Sequence, residues 1–202
     1  MDKVASLLKK YYIEDLIKTG ATARVIKAVR CLDSKVFAMK VVKTVKEPTL
    51  FSKELLFNQT LKASGNKGVI NMPKYVIDYE KGRYVMIMDY MPMDLHTYVL
   101  NRQTPITEGE CCNIISQVVN ILLHIENHAC VQHMDPKMEN VLIDPETKEV
   151  KLFDFGHLAQ VAHLWTDSTS LVTKVSWATE TIKEGRFYPK RTIVWQVGIL
   201  AK

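Results

Sequence analysis

The sequence is short of several things, and each shortage closes off a class of explanation. No apolar run approaches the roughly 18 residues needed to cross a bilayer, so no membrane role is expected. Met1–Tyr12 carries an acidic second residue and no continuous apolar core, which is not the pattern of a secretory signal. There are only four cysteines, Cys31, Cys111, Cys112 and Cys130, with no CxxC spacing and no histidine placed to complete a zinc site. They read as reduced thiols of a cytoplasmic or nuclear protein. Basic residues exceed acidic ones by 27 to 22, but they are scattered rather than massed, so nucleic-acid binding is not expected. Repeats and low-complexity tracts are also missing.

What is present is an ordinary globular composition, 47% apolar and 24% charged, on 202 residues. That length can bury a core as one large domain or two small lobes. The first third reads as strands with one helix. Arg24–Arg30 and Lys35–Val42 flank a turn at Cys31–Ser34, and Lys74–Tyr79 and Arg83–Asp89 flank another at Glu80–Gly82. Between them, after Pro48, a helix is predicted over about 50–62, ended by the Ser64–Gly68 segment.

From Met91 the texture turns helical. Ile114, Val118, Ile121, Leu122 and Ile125 repeat on one face of a helix over about 108–128, and Thr107 with Glu110 has the spacing of a capping box. Two short apolar runs, Val141–Ile143 and Val150–Phe153, are joined by a turn at Asp144–Lys148. Beyond Gly156 the chain reads as polar and irregular to about Lys190, ending in an apolar helix start at Val194–Leu200. The expected architecture is α+β and two-lobed, with residues 1–90 as a sheet-rich part and 91–202 as a helical part. A ligand is expected between lobes of this kind.

The chemistry concentrates in His133-Met134-Asp135-Pro136-Lys137-Met138-Glu139-Asn140, with Asp154-Phe155-Gly156 following after a hairpin. Phosphoryl transfer asks a protein for a carboxylate facing the acceptor hydroxyl, a cation near the moving phosphoryl group, and hard oxygen ligands for Mg²⁺. Asp135, Lys137, and the pair Asn140 and Asp154 supply these residue types, and the hairpin returns the two metal-ligand positions to one place.

These stretches resemble the HRDxKxxN catalytic loop and DFG motif of protein kinases, and the run from Glu139 to Gly156 is similar to that of Pim-type serine/threonine kinases. The resemblance runs from about residue 12 to the last residue. It implies a serine/threonine protein kinase that uses ATP and Mg²⁺ and acts on a protein substrate. Lys40 would contact the α- and β-phosphates, with Glu54 as its ion-pair partner. Ile17, Gly20, Val25, Ala38 and Leu142 would surround the nucleotide, Met88 would guard the back of its pocket, and Asp89, Tyr90 and Met91 would form the hinge. Thr173 matches the threonine that bonds the catalytic aspartate and lysine. His133 would pack against Phe155, and His157 reads as an exposed loop residue.

The chain departs from the pattern in four places. The glycine-rich loop becomes Lys18-Thr19-Gly20-Ala21-Thr22-Ala23, keeping only the middle glycine. Met134 replaces the arginine that grips a phosphorylated activation loop, so Thr166, Ser168, Thr169 and Ser170 lose that partner. The PPE triplet appears as Ala178-Thr179-Glu180, and Asn58 occupies a usually apolar helix position. The chain also stops early in the helical lobe, where Trp195, Val197, Ile199 and Leu200 are expected to be uncovered and open to a kinase or regulatory partner. The alternative to an active kinase is therefore a truncated pseudokinase acting as a binding or regulatory module.

Overall fold

The computed structural model describes residues 3–19, 23–42, 48–78, 82–161 and 173–202. Gly20, Glu80, Lys81, Thr166, Ser168, Thr169 and Ser170, singled out above, lie outside the described residues. The chain divides into two compact units, Met1–Ser52 with Ile70–Met91, and Lys53–Val69 with Pro92–Lys202. No helix among the described residues is long and apolar enough to cross a membrane.

In the first unit the described residues form a five-stranded antiparallel sheet in the order β1-β2-β3-β5-β4. The strands are β1 (Tyr11–Thr19), β2 (Ala23–Arg30), β3 (Val36–Val42), β4 (Lys74–Asp78) and β5 (Arg83–Asp89). Both predicted hairpins are there because β-branched and aromatic runs end at residues that accept a tight turn; Ser34 and Gly82 take φ of 57°. A short helix that the sequence reading did not predict, α1 (Lys3–Leu8), adds Val4 and Leu7 to a core with Tyr11, Ala28, Phe37, Met39, Val85 and Ile87. β1 is an edge strand, and two register shifts against β2 disrupt its ladder, a device that discourages edge pairing.

The second unit is organised by α4 (Glu108–Ala129), whose predicted apolar face is buried. Burying five such side chains contributes about 1.5–3 kcal/mol each as an upper range. Thr107 caps it, accepting from the Glu110 amide at 3.2 Å. The capping box is only half made, because the Glu110 carboxylate is occupied instead by Tyr98 and Arg102. Gly68 is required by close approach: a Cβ there would lie 2.2 Å from Ile121 Cγ1. Its carbonyl accepts from Leu152 at 2.8 Å, fixing Val69 beside β9 (Val150–Leu152).

β9 pairs with β8 (Val141–Ile143), and β8 with β6 (Met93–Asp94), in one small sheet. β7 (Val131–His133) pairs with β10 (Leu158–Gln160) in another. α2 (Pro48–Ala63), α3 (Leu95–Leu100), α5 (Thr179–Glu184) and α6 (Pro189–Leu200) complete the helices among the described residues. The stretch after Gly156 is thus less irregular than its polarity implies: β10 and α5 are too short to leave a periodic signal. The final helix begins five residues before the predicted apolar run, with Pro at its first position. It exposes Val194 (72%) and Trp195 (43%), whereas Leu200 is buried at 6% and Val197 is partly packed, correcting the expectation that both would be uncovered. Partners of opposite facing explain this: positions 193, 196, 197 and 200 share the inward stripe of a helix.

Candidate active site

Asp135 follows β7 directly, and the polypeptide around it is held by its own polar groups. The Asp135 amide donates to His133 Nδ1 at 3.2 Å, and His133 Nε2 lies 3.1 Å from the Phe153 carbonyl. Since Nδ1 accepts, Nε2 carries the proton, and the ring is neutral. Burial pushes the His133 pKa down, which agrees with that tautomer. His133 packs edge-on against Phe155 at 5.0 Å, as expected, and Phe155 also meets Phe57 at 5.0 Å. His133 is therefore a scaffold for Asp135.

The Asp135 side chain is 3% exposed and fully engaged. Its Oδ1 accepts from the Thr173 hydroxyl at 2.7 Å and the Thr173 amide at 3.3 Å. Its Oδ2 is paired with Lys137 Nζ at 2.7 Å. Lys137 also donates to Thr173 Oγ1 at 2.9 Å, so the threonine hydroxyl accepts from the lysine and donates to the aspartate. Burial alone would raise the Asp135 pKa, but the bonds from Lys137 and Thr173 outweigh it and hold the carboxyl below its ordinary value. Sequence comparison within a family was the only signal for Thr173, 38 residues away.

Asn140 closes a single turn of 3₁₀ helix, Met138–Asn140, and is buried. Its Nδ2 donates to the Asp135 carbonyl at 2.8 Å and to Oδ2 at 3.3 Å, which turns the amide oxygen away from Asp135. The Phe153 amide donates to the Asn140 carbonyl at 3.2 Å, setting Asn140 beside the residue that precedes Asp154. Asp154 has φ of 63°, a left-handed conformation that a non-glycine residue adopts at a cost and only when its surroundings demand it.

Met134 is 0% exposed, packed with Ala159, Phe187 and Trp177. Its amide donates to the His157 carbonyl at 2.9 Å, and its carbonyl accepts from Gln196 Nε2 at 2.7 Å. A position expected to hold a cation is a core position here. His157 stands in the bend just before β10, a loop position as expected, but it is half-buried rather than exposed, with a buried Nδ1 that has no partner among the described residues. Gln196 and Phe187 were missed; the one available signal was a glutamine inside an apolar run.

In the first unit the strand register places Val25, Ala38, Lys40 and Met88 on one face of the sheet. Val25 lies opposite Lys40, Ala38 lies opposite Met88, and Ala38 and Lys40 are two residues apart on β3. Ile17 is 45% exposed at a register shift of β1. Asp89 ends β5, its amide donating to the Asn71 carbonyl at 2.9 Å, and Met91 follows it, partly exposed. Glu54 is buried on α2 and Leu142 is half-buried on β8, both in the second unit.

Known proteins are similar to this chain over most of its length. The chain is 33% identical over 169 residues to the serine/threonine-protein kinase pkn3 of Myxococcus xanthus, covering 79% of this chain and 29% of that protein. It is 28% identical to shk1/pak1 of Schizosaccharomyces pombe over 98% of this chain and 29% of the relative. Against PAK 1 of Mus musculus it is 26% identical over 96% of this chain and 34% of the relative. The chain thus spans about a third of the length of these relatives or less. Their names support the superfamily; they do not carry the narrower Pim-type likeness. The protein kinase domain matches residues 11–202, and the chain belongs to that family.

Proposed function

We propose that the chain is an ATP-dependent serine/threonine protein kinase that transfers the γ-phosphoryl group of Mg-ATP to a protein hydroxyl. The observation that carries this reading is the hydrogen-bonded array of Asp135, Thr173, Lys137 and Asn140, in which the Asp135 carboxylate is held by all three neighbours. The donor set also fits the expected cation. Mg²⁺ takes one or two protein oxygens and completes its shell with water and phosphate. Asn140 has its nitrogen consumed and its oxygen turned away, and Asp154 holds a strained backbone, as functional carboxylates often do. These two would hold the metal. Lys40, Ile17, Gly20, Val25, Ala38, Glu54, Met88, Asp89, Met91 and Leu142 are proposed for the nucleotide.

Asp135 is ionised at neutral pH, and of the four bonds its carboxylate accepts, the two longest, from the Thr173 amide and Asn140 Nδ2 at 3.3 Å each, are the ones an acceptor hydroxyl can replace. It can accept the acceptor hydroxyl's hydrogen bond, orient that oxygen, and take its proton late in the transfer. Lys137, bridging Asp135 and Thr173, places a positive charge where negative charge develops. When bound, Mg-ATP supplies the transferable phosphoryl group and screens its charge.

The test is phosphoryl transfer from labelled ATP to a serine- or threonine-containing protein. Asp135→Asn is expected to lower the rate about 10²–10⁴-fold, the range for a positioned acid–base group. Equal rates for wild type and variant would refute the assignment. A second reading, a nucleotide-binding or regulatory module without turnover, is favoured by Lys18 and Ala23 standing in place of two loop glycines. A rise in Tm with Mg-ATP but no transfer would select it.

A further inference from the structure

The first unit carries a cavity of about 580 Å³ built from the end of α1, the β2–β3 turn and the start of β4. That volume suits a small molecule. Every charged side chain lining it is a cation: Lys9, Lys10, Arg30 and Lys74. Arg30 is already matched, because Asp33 takes its guanidinium in a two-point pair, Nε to Oδ1 at 2.8 Å, and that pair draws the Asp33 pKa down to about 2. The three lysines are different. All are exposed, and none of their ammonium groups has a hydrogen bond or ion pair among the described residues. Three unmatched charges around one concavity add their potentials there and draw a multivalent anion. Tyr11, Leu32 and Pro73 give the same cavity apolar surface.

We propose that this cavity binds a phosphate-bearing ligand with an apolar body, the phosphate meeting Lys9, Lys10 and Lys74 and the body resting on Tyr11 and Pro73. The site is separate from the residues assigned to catalysis. Phosphate alone would be held by screened surface charge only, whereas the apolar surface adds area removed from water, so the two halves together outbind either half.

Cys31 also lines the cavity, and its exposed thiol makes a local reporter. The experiment follows alkylation of Cys31 by iodoacetamide, peptide by peptide, in the full chain with phenyl phosphate, phenol or inorganic phosphate. Exposed Cys112 and Cys130 serve as internal controls. Phenyl phosphate is expected to slow Cys31 alkylation saturably, with a midpoint at least tenfold below that of either half-ligand, leaving both controls unchanged. The combined Lys9→Gln, Lys10→Gln and Lys74→Gln variant, whose fold is checked by circular dichroism, should raise that midpoint at least tenfold. Equal protection by phenol, slowing of the controls to the same degree, or an unchanged midpoint in the variant would each overturn the proposal. Protection by inorganic phosphate as strong as by phenyl phosphate would overturn it too, leaving only non-specific anion screening.

Discussion

Two regions of the molecule handle charge in opposite ways. At Asp135 the charges are answered: the carboxylate by Lys137 and Thr173, the Asn140 amide nitrogen by a carbonyl, and His133 by an amide and a carbonyl. Around the cavity of the first unit three lysines line a shared space, and among the described residues none of their ammonium groups has an ion-pair partner. Burial explains the contrast. An unanswered charge inside a protein costs several kcal/mol, so a buried set must be complete, while exposed ammonium groups keep their water and can wait for an anion from outside. The closed set fixes geometry; the open one attracts a ligand.

The comparison breaks most sharply if an unmatched cation is moved from the open region to the closed one. Met134→Arg puts a guanidinium among Ala159, Phe187 and Trp177, and thermal or urea denaturation should show a loss of about 3–5 kcal/mol. Met134→Leu, which keeps the volume, should cost less than about 1.5 kcal/mol. A smaller break removes one bond of the closed set. Thr173→Val deletes the hydroxyl that serves Asp135 and Lys137, and phosphoryl transfer should fall about tenfold. Losing that donor also raises the Asp135 pKa, so the acid limb of the pH–rate profile should move upward, and Thr173→Ser should restore both.

Acid sharpens the contrast further. His124 bonds Ser64 at 2.8 Å and stacks on His128 at 3.8 Å, and burial first, then His128, lowers its pKa. The unfolded chain then binds that proton more readily than the folded one. Stability from the neutral ring is complete above the unfolded value near 6.5 and is lost as pH falls through the lower folded value. His124→Gln should flatten the decline of Tm between about pH 7 and pH 5. The smallest effect is expected in the open region: Lys9→Gln, Lys10→Gln and Lys74→Gln together should change stability by no more than about 0.5 kcal/mol, because no bond is lost.

How much of this was legible in the sequence depends on range. The hairpins of the first unit, α4 and the β8–β9 hairpin follow from periodicity and turn residues within a few positions of one another. Asp135, Lys137, Asn140 and Asp154 could be named because their spacing is local, and Thr173 only because a family pattern supplied it. α1 and β10 are too short to show a period. Met134 could be read as a missing arginine but not as the centre of an apolar cluster, since Phe187 and Gln196 lie 53 and 62 residues on. The lysine-lined cavity was illegible for the same reason: Lys10 and Lys74 come together only because α1 packs against β4.

Both main-chain polar groups of Met134 are taken by distant segments, the amide by His157 and the carbonyl by Gln196. This has a kinetic meaning. Contacts that close loops of 38 and 62 residues form after local hairpins and helices, because the chain entropy of closure must be met first. The helix α4 and the β8–β9 hairpin can form early, whereas Asp135 reaches its final setting only when the segment carrying Thr173 and α6 has docked. The active geometry is then a late product of folding, and hydrogen exchange during refolding should find the Thr173 amide, which donates to Asp135, protected after those of α4.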